Sequence, residues 1–237
     1  MPSSKQTQSR DHQAKLLDPT DESPVAFSMV RSFHLADLLT LSNAACGFLS
    51  CLACLAHLSA NPSILQSPSN APLSQELMWA AVLMPLGGLF DVLDGRVARW
   101  RYTSSLLGQE LDSLADLISF GVGPAILAFT MGYRSALDTF LLTFFVGCAV
   151  ARLARYNATV ASLPKDKAGK VRYFEGTPVP TSLFLVVLLT AGRSFGLDAL
   201  LVSSMDLPLL GTLHPVAAIY GVVGAGMVSR RLRIPKV

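Results

Sequence analysis

Residues 90–124 read FDVLDGRVARWRYTSSLLGQELDSLADLISFGVGP, and the fold turns on how four aspartates sit in that stretch. Asp91 and Asp94 close one apolar segment, while Asp112 and Asp116 stand inside the next. On a helix, residues three or four apart share a face, so each segment presents a carboxylate pair. A short turn near Tyr102–Ser105 folds two such helices antiparallel and brings the pairs together at one end.

Outward from this stretch, apolar blocks lie at about 38–60, 76–100, 105–131, 136–157, 178–197 and 207–229. Each is long enough, or nearly so, to cross roughly 30 Å of hydrocarbon as a helix rising about 1.5 Å per residue. Backbone polar groups in lipid must be satisfied within the segment, which requires helices. Composition agrees. The 237 residues are 51% hydrophobic and 15% charged, where an ordinary soluble domain carries about a quarter charged residues. Mean hydropathy is +0.46. So little charge excludes a disordered chain, a coiled coil and a highly charged nucleic-acid binder, and no nucleic-acid partner is expected. The expectation is an all-α integral membrane protein of six transmembrane helices, with no room for a separate soluble domain.

Six crossings put both termini on one side. All but Arg134 and Arg193 of the 19 lysines and arginines then fall on that side, the face held in the cytoplasm by the positive-inside rule. A positive face suits anionic lipid head groups or a phosphate-bearing substrate, although the formal net charge is only +3. The expected organisation is a polar, mobile cytoplasmic tail at 1–28 and an interfacial amphipathic segment at 29–37. The six-helix membrane unit follows at 38–229, then a basic cytoplasmic tail at 230–237. The first 28 residues contain no apolar core of a cleaved signal peptide. Cys51 and Cys54 have the spacing of a redox or metal motif, yet no second pair or histidine cluster accompanies them, and they read as small packing groups. His12, His34, His57 and His214 are scattered and form no ligand pattern.

A charged side chain near mid-membrane costs about 2.5–3.5 kcal/mol, and four like charges also repel one another. One plain solution is an ion pair with Arg96 or Arg99. Hard divalent cations are another, since carboxylate oxygens are their preferred ligands. Two such ions suit phosphoryl transfer, where they stabilise charge on the reacting and leaving oxygens. Gly95 and Gly108 remove side chains where a bulky ligand approaches the backbone, and Arg99, one turn past Gly95, can meet a phosphate oxygen.

The pattern Asp91-x-x-Asp94-Gly95-x-x-Ala98-Arg99, eight residues, Gly108-x-x-x-Asp112-x-x-x-Asp116 resembles the full signature of the CDP-alcohol phosphotransferases. The resemblance implies a six-helix membrane bundle, commonly a homodimer, that moves a phosphatidyl or phospho-alcohol group from a CDP-activated donor. It implies that Asp91, Asp94, Asp112 and Asp116 hold two divalent cations, Mn²⁺ or Mg²⁺, and that Asp116 also acts as general base. It further implies that Gly95, Arg99, Ser105 and the neighbouring Gly108 meet the CDP moiety of CDP-diacylglycerol.

Four further stretches resemble the serine-accepting branch of the family: HLADLLTLSNAACGF at 34–48, SFGVGPA at 119–125, ARLARYN at 151–157 and YFEGTPVP at 173–180. In that branch the first helix lies along the nucleotide, making Asp37, Thr40 and Asn43 candidate donor contacts. Ala36-Asp37 stands where a common bacterial form has Pro-Asn, which leans toward a fungal-type member of the endoplasmic reticulum membrane with its active site facing the cytosol. L-serine carries a carboxylate, so its pocket needs a cation. Arg152, Arg155 and Tyr156 end the fourth apolar block, and the resemblance implies that they are the candidate serine contacts, with Glu175 in the next loop as the candidate partner of the ammonium. The plainer reading of Arg152, Arg155 and Tyr156 is membrane anchoring at the cytoplasmic surface.

Other classes also place acids in a bilayer. Prenyltransferases use aspartates on two helices, with different spacing and usually more spans. A cation transporter would set its carboxylates near the midplane at broken helices. Within the family, phosphatidylinositol or phosphatidylglycerophosphate synthesis is the nearest alternative.

Overall fold

The computed structural model describes residues 35–62, 74–101, 106–159, 173–197, 203–207, 211–229 and 233–235. The tail expected at 1–28, most of the interfacial segment, the turn at 102–105 with Ser105, residues 160–172 and most of the basic tail expected at 230–237 lie outside the described residues. Residues 35–37, the described end of the interfacial segment, form the first turn of the first helix.

The chain is mostly helical. Helices α1 (Leu35–Ala60) and α2 (Gln75–Arg101) pair along their length. The third apolar block is α3 (Leu106–Asp116), a π-helical turn (Leu117–Val122) and α4 (Gly123–Met131); α5 (Ala136–Thr159) follows. After the short strand β1 (Tyr173–Glu175) come a 3-10 turn (Val179–Thr181) and α6 (Ser182–Ser194). Strands β2 (Met205–Leu207) and β3 (Gly211–Leu213) form a small antiparallel hairpin ahead of α7 (Pro215–Val228), and β4 (Arg233–Pro235) pairs antiparallel with β1.

Four helical segments are long and apolar enough to cross a membrane: Leu35–Ala60, Gln75–Ala98, Leu107–Met131 and Ala136–Thr159. The apolar helices Val179–Ser194 and Pro215–Val228 are shorter. The last block expected from hydropathy, 207–229, is shortened because part of it is spent on the hairpin. Large apolar side chains cover the outside, among them Phe48, Trp79, Phe140, Phe184 and Val222, as lipid contact requires.

The core lies where α2, the third block, α5, α6 and α7 meet, around Met84, Phe120, Leu127, Phe145, Leu185 and Tyr220. Phe145 and Tyr220 meet edge to face at 5.2 Å, and the Tyr220 hydroxyl donates to the Pro124 carbonyl at 3.0 Å. Gly221 and Gly224 let α7 press against Leu141 and Phe145 of α5, the small-residue contact by which membrane helices approach closely. The π-helical turn begins one residue after Asp116, and the Gly123 N–H donates to the carbonyl of Ile118, five residues back. The wider turn rotates the following helix relative to α3, a device common beside functional sites.

Candidate active site

Asp91 on α2 and Asp112 and Asp116 on α3 converge. One carboxylate oxygen from each lies within 4.8 Å of the others. Helical spacing sets Asp112 and Asp116 on one face of α3, turned toward Asp91. Asp94 is buried beside this trio, and its Oδ2 accepts a 2.5 Å hydrogen bond from the Thr40 hydroxyl of α1. Asn43, one turn along α1 and fully buried, donates from Nδ2 toward Asp116 Oδ1 at 3.4 Å. The first helix thus reaches both acidic helices. Its register against the third block is set by the Ser119 hydroxyl, which donates to the Asn43 carbonyl at 2.9 Å. Gly47 makes that approach possible, since a Cβ there would lie 2.8 Å from the Ser119 α-carbon.

The donor set fits a hard divalent cation. Every converging group is a carboxylate, and Asp112 Oδ1 is buried without a hydrogen-bond partner among the described residues, leaving lone pairs that a cation would fill. The ion-pair solution fares worse: Arg96 is exposed, and among the described residues it makes no ion pair with these aspartates. Nothing is described of the side chains of Arg99, Ser105 and Glu175. Gly95 and Gly108 flank the acidic cluster on α2 and α3, and both are partly buried.

Arg152 approaches from α5. It is 9% exposed, its Nε has no partner among the described residues, and Asp116, Tyr156 and Arg155 are its charged or polar neighbours. Arg155 takes another course, donating from Nη1 to the Val228 carbonyl at the end of α7, 3.1 Å away. Beside them, Asn157 accepts from the Ser113 hydroxyl at 3.0 Å and donates to Glu110 Oε2 at 3.0 Å, tying α5 to α3 at the mouth of the site. Asp37 is buried on α1, one turn before Thr40.

Two arrangements escaped the sequence reading. Asn157 lay inside a stretch already singled out, but its partners on α3 are more than 40 residues away in the chain. At the opposite end of the bundle, fully buried Asp138 accepts hydrogen bonds from the Ser135 N–H at 3.1 Å and the His214 N–H at 3.1 Å. The His214 ring nitrogen also lies 2.6 Å from Asp138 Oδ2. The Ser135 hydroxyl accepts from the Asp138 N–H at 3.0 Å, so the helix-start pattern Ser135-x-x-Asp138 was the available signal.

Residues 33–222 match the family model described as CDP-alcohol phosphatidyltransferase. The chain is 45% identical over 214 residues to the CDP-diacylglycerol–serine O-phosphatidyltransferase of Saccharomyces cerevisiae, covering 89% of this chain and 73% of the relative. It is 34% identical over 191 residues to the archaetidylserine synthase of Methanothermobacter thermautotrophicus, covering 73% and 69% respectively. A shorter match, 40% over 118 residues, joins it to the CDP-diacylglycerol–serine O-phosphatidyltransferase of Helicobacter pylori, covering 48% of this chain and 47% of that protein.

Proposed function

Because the chain belongs to the CDP-alcohol phosphatidyltransferase family, we propose that it makes phosphatidylserine, transferring the phosphatidyl group of CDP-diacylglycerol to the hydroxyl of L-serine with release of CMP. The observation that carries this reading is the convergence of Asp91, Asp112 and Asp116 with Asp94 beside them, in a chain so similar to a serine phosphatidyltransferase.

In this reading Asp91, Asp94, Asp112 and Asp116 hold two divalent cations, Mn²⁺ or Mg²⁺. When bound, these would offset negative charge on the phosphoryl oxygens and the departing CMP. Asp116 accepts the proton of the serine hydroxyl, and the serine oxygen attacks phosphorus in line as the bond to the CMP oxygen breaks. Asp37, Gly95, Arg99, Ser105 and Gly108 line the nucleotide side, with Thr40 and Asn43 between it and the aspartates. Arg152, Arg155, Tyr156 and Glu175 belong to the serine side, where the buried guanidinium of Arg152 offers the cation that a carboxylate needs. The acyl chains remain in lipid between helices.

We read the unit at 38–229 as crossing the membrane six times, with the two shorter apolar helices as the fifth and sixth crossings. The tails at 1–28 and 230–237 then face the cytosol. Basic residues on that side and similarity to the yeast enzyme support an endoplasmic reticulum location with a cytosolic active site. A homodimer is the expected assembly.

The test is CMP release by the purified protein in detergent with CDP-diacylglycerol and Mn²⁺, adding L-serine, inositol or glycerol 3-phosphate separately. Release with serine alone is expected. Release only with another alcohol would overturn the acceptor, and no release with any of them would overturn the reaction.

A further inference from the structure

Hydroxyl groups inside a membrane bundle normally bond to the carbonyl one turn back, and this chain follows that habit. Thr130 donates to Ile126, Thr143 to Thr139, Thr190 to Val186 and Ser194 to Thr190, all at 2.7–2.9 Å. Others reach a carbonyl on another helix, as Ser119 does to Asn43 and Ser50 to Ala80, but two buried hydroxyls reach nothing. Thr177 Oγ1 and Ser182 Oγ are shielded from solvent and have no hydrogen-bond partner among the described residues. Ser182 is completely buried, at the first position of α6. A buried hydroxyl left unpaired is costly, and two near one site call for a ligand.

Packing sets the segment that carries both against the elements of the acidic cluster. The 3-10 turn that leads to Ser182, and α6 after it, pack on the π-helical turn that begins next to Asp116. Leu183 fits against Gly88, one turn before Asp91 on α2, and Phe120, one turn after Asp116, packs at the same glycine. Thr177 is fixed from the other side: its N–H donates to the Gly226 carbonyl at 3.2 Å. The preceding Gly176, at φ 78°, lies so close to α7 that a Cβ would fall 3.0 Å from the Met227 carbonyl carbon. Arg155 reaches the same end of α7 through the Val228 carbonyl, and Arg152 stands one turn before it on α5. Arg152 has Asp116 as an electrostatic neighbour, and its Nε is likewise buried without a partner among the described residues.

We propose that Thr177 and Ser182, with Arg152, wall the acceptor pocket, their hydroxyls completing the hydrogen bonds of a small zwitterionic alcohol. The assignment rests on the reading of the chain as a phosphatidyl transferase to serine. A guanidinium alone attracts any carboxylate. Two hydroxyls on one short segment can donate to the carboxylate or accept from the ammonium, and so select an amino acid over a polyol or a phosphate ester.

The experiment is steady-state CMP release by the full chain with Mn²⁺ while L-serine and CDP-diacylglycerol are varied in turn. Thr177→Val and Ser182→Ala should each raise the KM for serine tenfold or more, with the KM for CDP-diacylglycerol moving less than twofold. Thr177→Ser, which returns the hydroxyl, should recover most of the loss. A serine KM within twofold of the unsubstituted protein in both variants would overturn the pocket. Ser182→Cys, nearly isosteric, gives a readout independent of turnover. A small methanethiosulfonate reagent should modify it more slowly when L-serine is present, with the unsubstituted protein as blank for its native cysteines. Modification that ignores serine, or none at all, would also overturn the proposal. If the unsubstituted protein itself gave no serine-dependent CMP, the fault would lie in the proposed function instead.

Discussion

The Thr40 hydroxyl donates a 2.5 Å hydrogen bond to Oδ2 of Asp94, linking two helices across 54 residues of sequence. The Ala36 carbonyl, one turn back, lies 3.1 Å from the same oxygen, so the single hydroxyl proton sits between two acceptors and the rotamer is held from both sides. A carboxylate fixed in this way meets a cation without first being ordered. Outer partners of metal ligands are typically worth 10–100-fold in affinity or activity. Thr40→Val should therefore lower CMP release by about 10–100-fold and raise the Mn²⁺ concentration needed for half-maximal rate, while Thr40→Ser keeps most of both. A Mn²⁺ titration of the three proteins decides it. If Thr40 served only the nucleotide, the metal requirement would not move.

Asp112 has a different standing, because its Oδ1 has no protein partner to lose among the described residues. Removing the carboxylate should leave the fold intact and even relieve repulsion from Asp91 and Asp116. Its effect should fall on turnover, where lost stabilisation of about 4 kcal/mol corresponds to about 10³-fold. Asp112→Ala should reduce CMP release by at least about 10³-fold at unchanged expression and thermal stability. Near-normal activity would sink the metal site.

Chelation should act on the same site from outside. Treatment with excess EDTA is expected to abolish CMP release, and Mn²⁺ or Mg²⁺ to restore it, whereas Ca²⁺ should do so poorly. The larger ion prefers more oxygen ligands and looser geometry than an in-line displacement tolerates. Activity that survives chelation would remove the cations from the reaction.

The acidic helices could be read from sequence because spacing alone places Asp91 with Asp94 and Asp112 with Asp116, and because lipid leaves a helix few alternatives. The π-helical turn could not: Leu117–Val122 is as apolar as the residues around it, and composition does not separate a five-residue hydrogen-bond step from a four-residue one. Nor could the separation of Asp94 from the other three, which depends on the side chain of Thr40 on another helix. The shortening of the last apolar block was hidden for a similar reason, since Met205–Leu207 and Gly211–Leu213 sit in apolar sequence yet pair as antiparallel strands. Long-range contacts between polar side chains were legible only where, as at Ser135-x-x-Asp138, a local pattern marked one end.

At that far end, Asp138 joins the start of α5 to the start of α7 through three contacts with Ser135 and His214, remote from the acidic cluster. Asp138→Ala would leave the two partly buried N–H groups without this partner. With hydrogen bonds to charged groups worth about 1.5–3 kcal/mol, the midpoint of thermal unfolding in detergent should fall by about 5–10 °C. The serine KM and turnover of the protein that remains folded should stay unchanged. A change in KM at unchanged unfolding temperature would instead make this cluster part of the site.

Gly47 and Gly147 make a matched pair for testing how the first helix is seated. A Cβ at Gly147 meets nothing within 4 Å, on an exposed turn of α5, whereas one at Gly47 collides with the backbone of Ser119. Gly147→Ala should be neutral or stabilise α5 by about 0.5–1 kcal/mol, the usual helical preference for alanine over glycine. Gly47→Ala meets the same preference but must push α1 away from the π-helical turn. That movement breaks the Ser119–Asn43 hydrogen bond and withdraws Asn43 from Asp116. Its CMP release should fall at least tenfold even where folded protein is recovered, while Gly147→Ala retains full activity. Equal activity in the two variants would mean that α1 packs against the third block without positioning its aspartate.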